Sequence, residues 1–215
     1  MLNPDEHLIS FSAGISRENR SDIGFLMQEA DRFATSTYDR DLHWQSWLNY
    51  FDSCLRKYGC ERLTTITSRP LFVSDTKELD DLTLEVATFD DAQGLLDLGQ
   101  EVLATLDIYA FVVAWLNTDG TGNARLGSWV VVPCSLNRRG EITLTTFAVQ
   151  LRGRPMTTQH KPEAVLYMSG GVYTFHPQDY EPFRGEIREK LKGINLRKIV
   201  QGLDLVKVPN SPLCR

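Results

Sequence analysis

Apolar residues recur at three- and four-residue intervals in the first third of the chain, and in short runs separated by turn residues in the last half. Ile23, Leu26, Met27, Ala30, Phe33 and Ala34 make one helical stripe, with Glu29, Asp31 and Arg32 falling off it. Ser16 or Ser21 is placed to cap its start. Trp44, Trp47, Leu48, Phe51, Leu55 and Tyr58 make a second stripe, stopped by Gly59. The connection between them is short and polar, which predicts antiparallel neighbours. Residues 60–66 read as a strand halted by Arg69-Pro70. Residues 75–87 read as an acidic helix, and residues 90–106 as a longer one, capped by Asp90 or Asp91. Gly99 lies on the buried stripe of that helix and implies close approach of another backbone.

Residues 109–116 are apolar on both alternate sets, the pattern of a central strand covered on two faces. A glycine turn at 118–122 leads to a strand at 126–132, and a turn at 137–140 leads to a third at 141–152. There the apolar register slips by one residue near Thr145 and Thr146, which predicts a β-bulge. After a loop at 153–162 comes a last strand, kinked at Gly170-Gly171. Pro177 opens a closing helix to about Leu191, on the stripe Tyr180, Phe183, Ile187 and Leu191. A short amphipathic piece carries Leu196, Ile199, Val200 and Leu203. The reading is one α+β domain: a helical hairpin (1–60), a strand with helices (61–107), a sheet with its closing helix (108–203) and a loose tail (204–215). Its helices pack on one face of a four- or five-stranded, mainly antiparallel meander.

Charge narrows the function classes. The chain of 215 residues carries 23 basic and 28 acidic side chains, a net charge of -5, so it lacks the basic footprint of a nucleic-acid binder. No apolar run approaches the roughly 18 residues of a membrane span. The N-terminus has no charged-then-apolar leader, which implies a cytoplasmic protein or export by a signal-less route. Cys54, Cys60, Cys134 and Cys214 then read as reduced thiols. His7, His43, His160 and His176 lack ligand spacing, and the glycine pairs lack the strand and helix that a phosphate loop needs. Neither a metal nor a cofactor is expected.

Candidate chemistry is sparse. Cys134 and His160 are the one pair that could act as nucleophile and base, with Ser128 and Ser135 as alternative nucleophiles. Trp44 and Tyr50, on the aromatic second helix, could anchor a partner, and Arg152 and Arg154 could bind from the adjoining loop. Seven acidic residues from Asp75 to Asp91 could pair for acid–base work, although charge on the outside of a helix is the commoner arrangement.

The run Gly14-Ile-Ser16, Arg20, Asp22, Ala30, Ala34, Tyr38-Asp-Arg40, Trp47, Tyr50, Leu55 and Gly59 resembles the N-terminal signature of a family of uncharacterised, mostly bacterial proteins with a β-rich second half. Tyr180, Arg184, Ile187 and Lys190-Leu191 are similar to that family's closing helix. Cys60 departs from it, since the family usually has Trp there. The resemblance brings no activity with it. Tyr38, Asp39 and Arg40 have a physical reading as a helical corner, where an aspartate can cap and an arginine can bridge backbone carbonyls. The expectation is a non-enzymatic protein that works by association with a protein partner or with itself. A membrane-active, toxin-like protein and a cysteine or serine hydrolase are the alternatives.

Overall fold

The computed structural model describes residues 7–87, 91–118, 125–155, 162–192 and 199–201. The strands are β1 (His7–Phe11), β2 (Cys60–Ser68), β3 (Leu71–Val73), β4 (Leu84–Val86), β5 (Arg125–Leu136), β6 (Ile142–Arg154), β7 (Glu163–Phe175) and β8 (Ile199–Gln201). The helices are α1 (Arg17–Thr35), α2 (Trp44–Lys57), α3 (Ala92–Thr105), α4 (Ile108–Asn117), α5 (Pro177–Tyr180) and α6 (Arg184–Leu191). Tight 3₁₀ turns occupy Thr76–Asp81 and Glu181–Phe183.

The fold is α+β. The strands form one mixed sheet in the order β4-β2-β7-β6-β5-β1-β8, with β3 beside the start of β7. The expected antiparallel meander is its centre, β5-β6-β7, extended by β2 and β4. Two strands without a sequence signal lengthen it. β1 runs parallel to β5, and β8, expected as an amphipathic piece, runs parallel to β1.

Helices cover both faces rather than one. On β6, residues 142–151 are all buried. Ile142, Leu144 and Ala148 join a core under α1, α2 and α6, whereas Phe147, Val149 and Leu151 join a second core under α3 and α4. This two-sided burial accounts for the slipped register. The large side chains change faces at Thr145 and Thr146, while the pairing with β7 runs through them unbroken. The expected bulge is absent there, and the register shifts instead lie at Arg62/Thr64 and Arg125/Gly127.

The run at 108–116 is helix α4, not a central strand. Its apolar residues surround the whole axis, so neither period is visible, and a short apolar run of this kind suits a buried strand or a buried helix equally. Asp107, in the left-handed region at φ 54°, breaks it from α3 with a bend of 56°. Ile108, Val112 and Trp115 then face the core at helical spacing. Trp115 lies against Gly153 and donates its indole N–H to the Glu163 carbonyl at 3.0 Å.

The earlier helices follow their stripes. The Ser16 hydroxyl accepts from the Asn19 N–H at the start of α1, and Gly59, at φ +90°, ends the turn after α2. Trp47 bonds Thr35 and Tyr50 stacks on Phe33, so α1 and α2 are antiparallel. Asp91 caps α3 through the Gly94 N–H. Gly99 meets side chains, Leu84 and Met168, rather than another backbone. The acidic segment forms the first 3₁₀ turn and β4 in place of one helix. The expected loop at 153–162 is shorter, because β6 continues to Arg154 and β7 begins at Glu163.

β7 is continuous through Gly170-Gly171, where a kink was expected. The glycines permit close strand approach: a Cβ on Gly170 would sit 1.8 Å from the Thr146 carbonyl oxygen. Gly170→Ala is therefore expected to lower the unfolding free energy by at least about 3 kcal/mol in urea titration, the upper end of overpacking costs. Gly185→Ala, with open space in α6, is expected to raise it by up to about 1 kcal/mol. Equal midpoints for the two variants would contradict this packing.

Candidate interaction surface

The first helical layer takes several charges inside. α1 is covered by the sheet and by α6, so more of its circumference is buried than one apolar stripe supplies. Asp22 and Glu29 are buried, and Asp31, expected off the stripe, is 8% exposed. Arg184 donates to both Asp22 oxygens at 2.8–3.2 Å, with Arg188 on the far side at 3.5 Å. Arg32 grips Glu29 in a fork at 2.6 and 2.8 Å, and Lys190 approaches the same carboxylate. Asp31 pairs with His7 at 3.0 Å. Arg184, Arg188 and Lys190 thus tie α6 to α1 through Asp22 and Glu29, and loss of a cation would leave a buried carboxylate short of its partner.

The helical corner is also architectural. Asp39 accepts from the Asp41 and Leu42 N–H groups, one turn ahead of the expected cap, and His43 starts α2. The buried Arg40 guanidinium lies 4.9 Å from the centre of the Trp47 ring, a cation–π contact. Tyr38 meets the Tyr50 ring edge-on at 4.9 Å. Trp44 is buried and stacked on Trp47, and Tyr50 is half-buried between Phe33 and Tyr38. These two aromatic candidates therefore serve the core more than a partner. Arg152 donates to the Asp41 carbonyl and Arg154 lies 3.6 Å from Glu163, so both are tied to the scaffold.

Among the described residues no base lies within hydrogen-bond reach of Cys134. Its thiol is buried on β5, donates to the Val132 carbonyl at 3.5 Å, and is pushed well above the usual thiol range by burial. His160 lies outside the described residues. Cys54 and Cys60 are free, and burial pushes the Cys54 thiol up to about 12. Thiolates react and thiols do not. Ser128 is buried against Asp41.

Among the described residues are two concave features. A small one of about 100 Å³ lies between α2 and the sheet. In it Tyr173 donates to Asp52 at 2.8 Å, and Arg56 and Arg62 hold the other carboxylate oxygen. Burial and then the Asp52 charge drive the Tyr173 hydroxyl upward, away from proton transfer near neutrality. The larger, about 330 Å³, lies where the first 3₁₀ turn meets the α3–α4 corner, lined by Leu79, Asp80, Gln100, Leu103, Ile108 and Tyr109, with Lys77 and Ala104.

That groove adjoins an exposed apolar helix face. Tyr109 is 58% exposed, Ala114 is exposed, and Ala110, Phe111, Val113 and Leu116 are half-buried. No charged residue lies between Asp107 and Asp119. A surface helix ordinarily carries polar residues on its outer side. The sequence concealed this face because its residues read as a two-sided strand. Nearby on α3, Glu101 has a buried Oε1 that accepts no hydrogen bond among the described residues, and burial raises its carboxyl pKa.

No protein-family model matches the chain, and no curated protein matches it. Among solved structures, the Evf virulence factor is similar at a TM-score of 0.44 and 9% identity, over 94% of this chain and 88% of that one. Likeness of that size transfers neither residues nor activity. Among the described residues no group of three or more His, Cys, Asp or Glu could hold a metal ion, and no single helix is long and apolar enough to cross a membrane.

Buried thiols give a direct check. In a Cys214→Ser background at pH 8, Cys54, Cys60 and Cys134 are expected to label with a disulfide reagent only as fast as the protein unfolds. Labelling of Cys134 within seconds in the native state would instead mark it as a reactive nucleophile.

Proposed function

We propose that the protein works by binding a protein partner rather than by catalysis, and that the outward face of α4 is its binding surface. The observation that carries this reading is the uncharged strip of exposed Tyr109 and Ala114 with half-buried Ala110 and Val113, beside a groove of about 330 Å³. Contiguous exposed apolar surface on a folded protein marks an interaction site. An aromatic such as Tyr109 at the edge of a groove suits the anchor positions that dominate binding energy. The absence of a reactive thiol at Cys134 and the tied positions of Arg152 and Arg154 agree with it.

A second reading draws on a different observation. α3 and α4 taken together are long and apolar enough for a membrane span, bent at Asp107. A lipid surface is therefore an alternative occupant of the same face. Release of dye from neutral vesicles by the purified protein would favour it.

The test is the size of the native species in extracts of the producing cell, followed immunochemically. The wild type is expected to elute well above the 24.4 kDa of one chain. Val113→Gln with Ala114→Gln is expected to elute as a single chain, with an unchanged melting midpoint, since a hot-spot loss of about 2 kcal/mol or more weakens binding ~30-fold. A wild type that elutes as one chain, or a double variant that elutes like the wild type, would remove α4 as the binding surface.

A further inference from the structure

We infer that the segment docking on α4 is basic and amphipathic, an inference that rests on the reading of α4 as a binding surface and supplies the chemistry of its occupant. Between Pro70 and Thr118 the chain holds ten acidic residues and one basic residue, Lys77. The fold gathers this stretch into the layer formed by the first 3₁₀ turn, β4, α3 and α4. Nine of the ten acids lie among the described residues, and Lys77 is the one basic residue with them. The rest of the chain, with 22 basic and 18 acidic residues, leans the other way.

Glu85 pairs with Arg69, and Asp75, Glu78 and Asp91 cap their turns, but three other acids lie in or beside the groove. Asp80 lines the groove, and Asp107 precedes the α4 residues Ile108 and Tyr109 that line it. Asp97 lies one turn before Gln100 on the α3 ridge that borders it. All three are exposed, and none makes an ion pair among the described residues. Surface acids at a rim contribute little to folding, but they steer a cation and penalise an anion that approaches. Lys77 is the one cation in the groove lining, against Asp80 in the lining and Asp97 and Asp107 beside it. An apolar strip with this acidic excess matches a helix that lays apolar anchors at i, i+3 or i+4, and i+7 into a groove while its flanks carry lysine or arginine. The groove volume lies within the ~300–1,000 Å³ that receives ligand side chains.

The same observations weigh against the other occupants. A second copy would need its own free basic helix, and the cations of α6 are already engaged: Arg184 and Arg188 by Asp22, Lys190 by Glu29 and Glu186. An anionic lipid surface would be repelled by Asp80, Asp97 and Asp107.

The test uses the full-length protein and three labelled 14-residue peptides with one leucine face and a polar face of lysine, glutamine or glutamate, followed by fluorescence anisotropy. The lysine peptide is expected to bind at least tenfold more tightly than the glutamine peptide at 50 mM salt, with the glutamate peptide weakest. That advantage is expected to shrink at 300 mM salt and in the triple variant D80N/D97N/D107N. Tyr109→Gln with Val113→Gln is expected to remove binding of both the lysine and glutamine peptides. If lysine and glutamine peptides bind equally and both fail on the Tyr109/Val113 variant, α4 remains a binding face and the basic partner is excluded. If no peptide binds, or all bind the Tyr109/Val113 variant unchanged, the α4 reading falls together with the inference. Displacement of the lysine peptide by phosphatidylcholine vesicles would assign the face to lipid and overturn the basic segment. A rise in mass to two chains with no peptide binding would assign it to a second copy and do the same.

Discussion

A β-strand exposes alternate side chains to opposite sides of its sheet, so a strand buried at every residue obliges the protein to supply two covering layers. β6 sets that demand. From Ile142 to Leu151 each residue is buried, with β5 and β7 hydrogen-bonded on either side. The two layers that meet the demand are built differently, and the difference is what separates scaffold from surface.

On one side, α1, α2 and α6 bury carboxylates as well as aliphatic groups. Asp22 with Arg184, and Glu29 with Lys190, tie the closing helix to the first one, while Arg32 grips Glu29 within α1. On the other side, α3 and α4 cover the sheet almost entirely with aliphatic and aromatic residues. Trp115, Val112 and Ile108 satisfy the sheet below, Phe111 and Leu116 pack at its edge, and Tyr109 and Ala114 on the outer side are exposed. A helix apolar around its whole circumference belongs in a core or against another surface. With one flank on the sheet, the other is the surface we propose for a partner, and the acidic segment that delivers the helix places Asp80, Asp97 and Asp107 near it.

Much of this architecture was legible in the residues. α1 and α3 follow three-four spacing under the expected caps Ser16 and Asp91, and α2 follows its stripe without a side-chain cap. The closing helix, expected as one piece, is divided by the 3₁₀ turn at Glu181–Phe183, and the β5-β6-β7 meander follows the order of its strands. What was illegible has physical causes. α4 has no polar face, so its pattern lacks either period. β1 is five residues whose partner lies more than a hundred positions away. The slip at Thr145 and Thr146 records a change of face that only the second helical layer explains. Glu29 and Asp31 read as surface charges because their partners, Lys190 and His7, come from distant parts of the chain. For the candidate surface, the acidic crowding was visible and its exposure was anticipated, but its neighbour was concealed by the strand reading. Trp44 and Tyr50, chosen for their chemistry, turned out to fill the core beside α1.

The central claim is that the outer side of α4 is covered in the cell and bare in isolation. Hydroxyl-radical footprinting of the native protein, inside the producing cell and again after purification at high dilution, reads this at Tyr109. Phe72 is comparably exposed on β3 and serves as the internal reference. The account requires Tyr109 to be oxidised several-fold more slowly in the cell while Phe72 changes little, and equal oxidation of Tyr109 in both settings would contradict it.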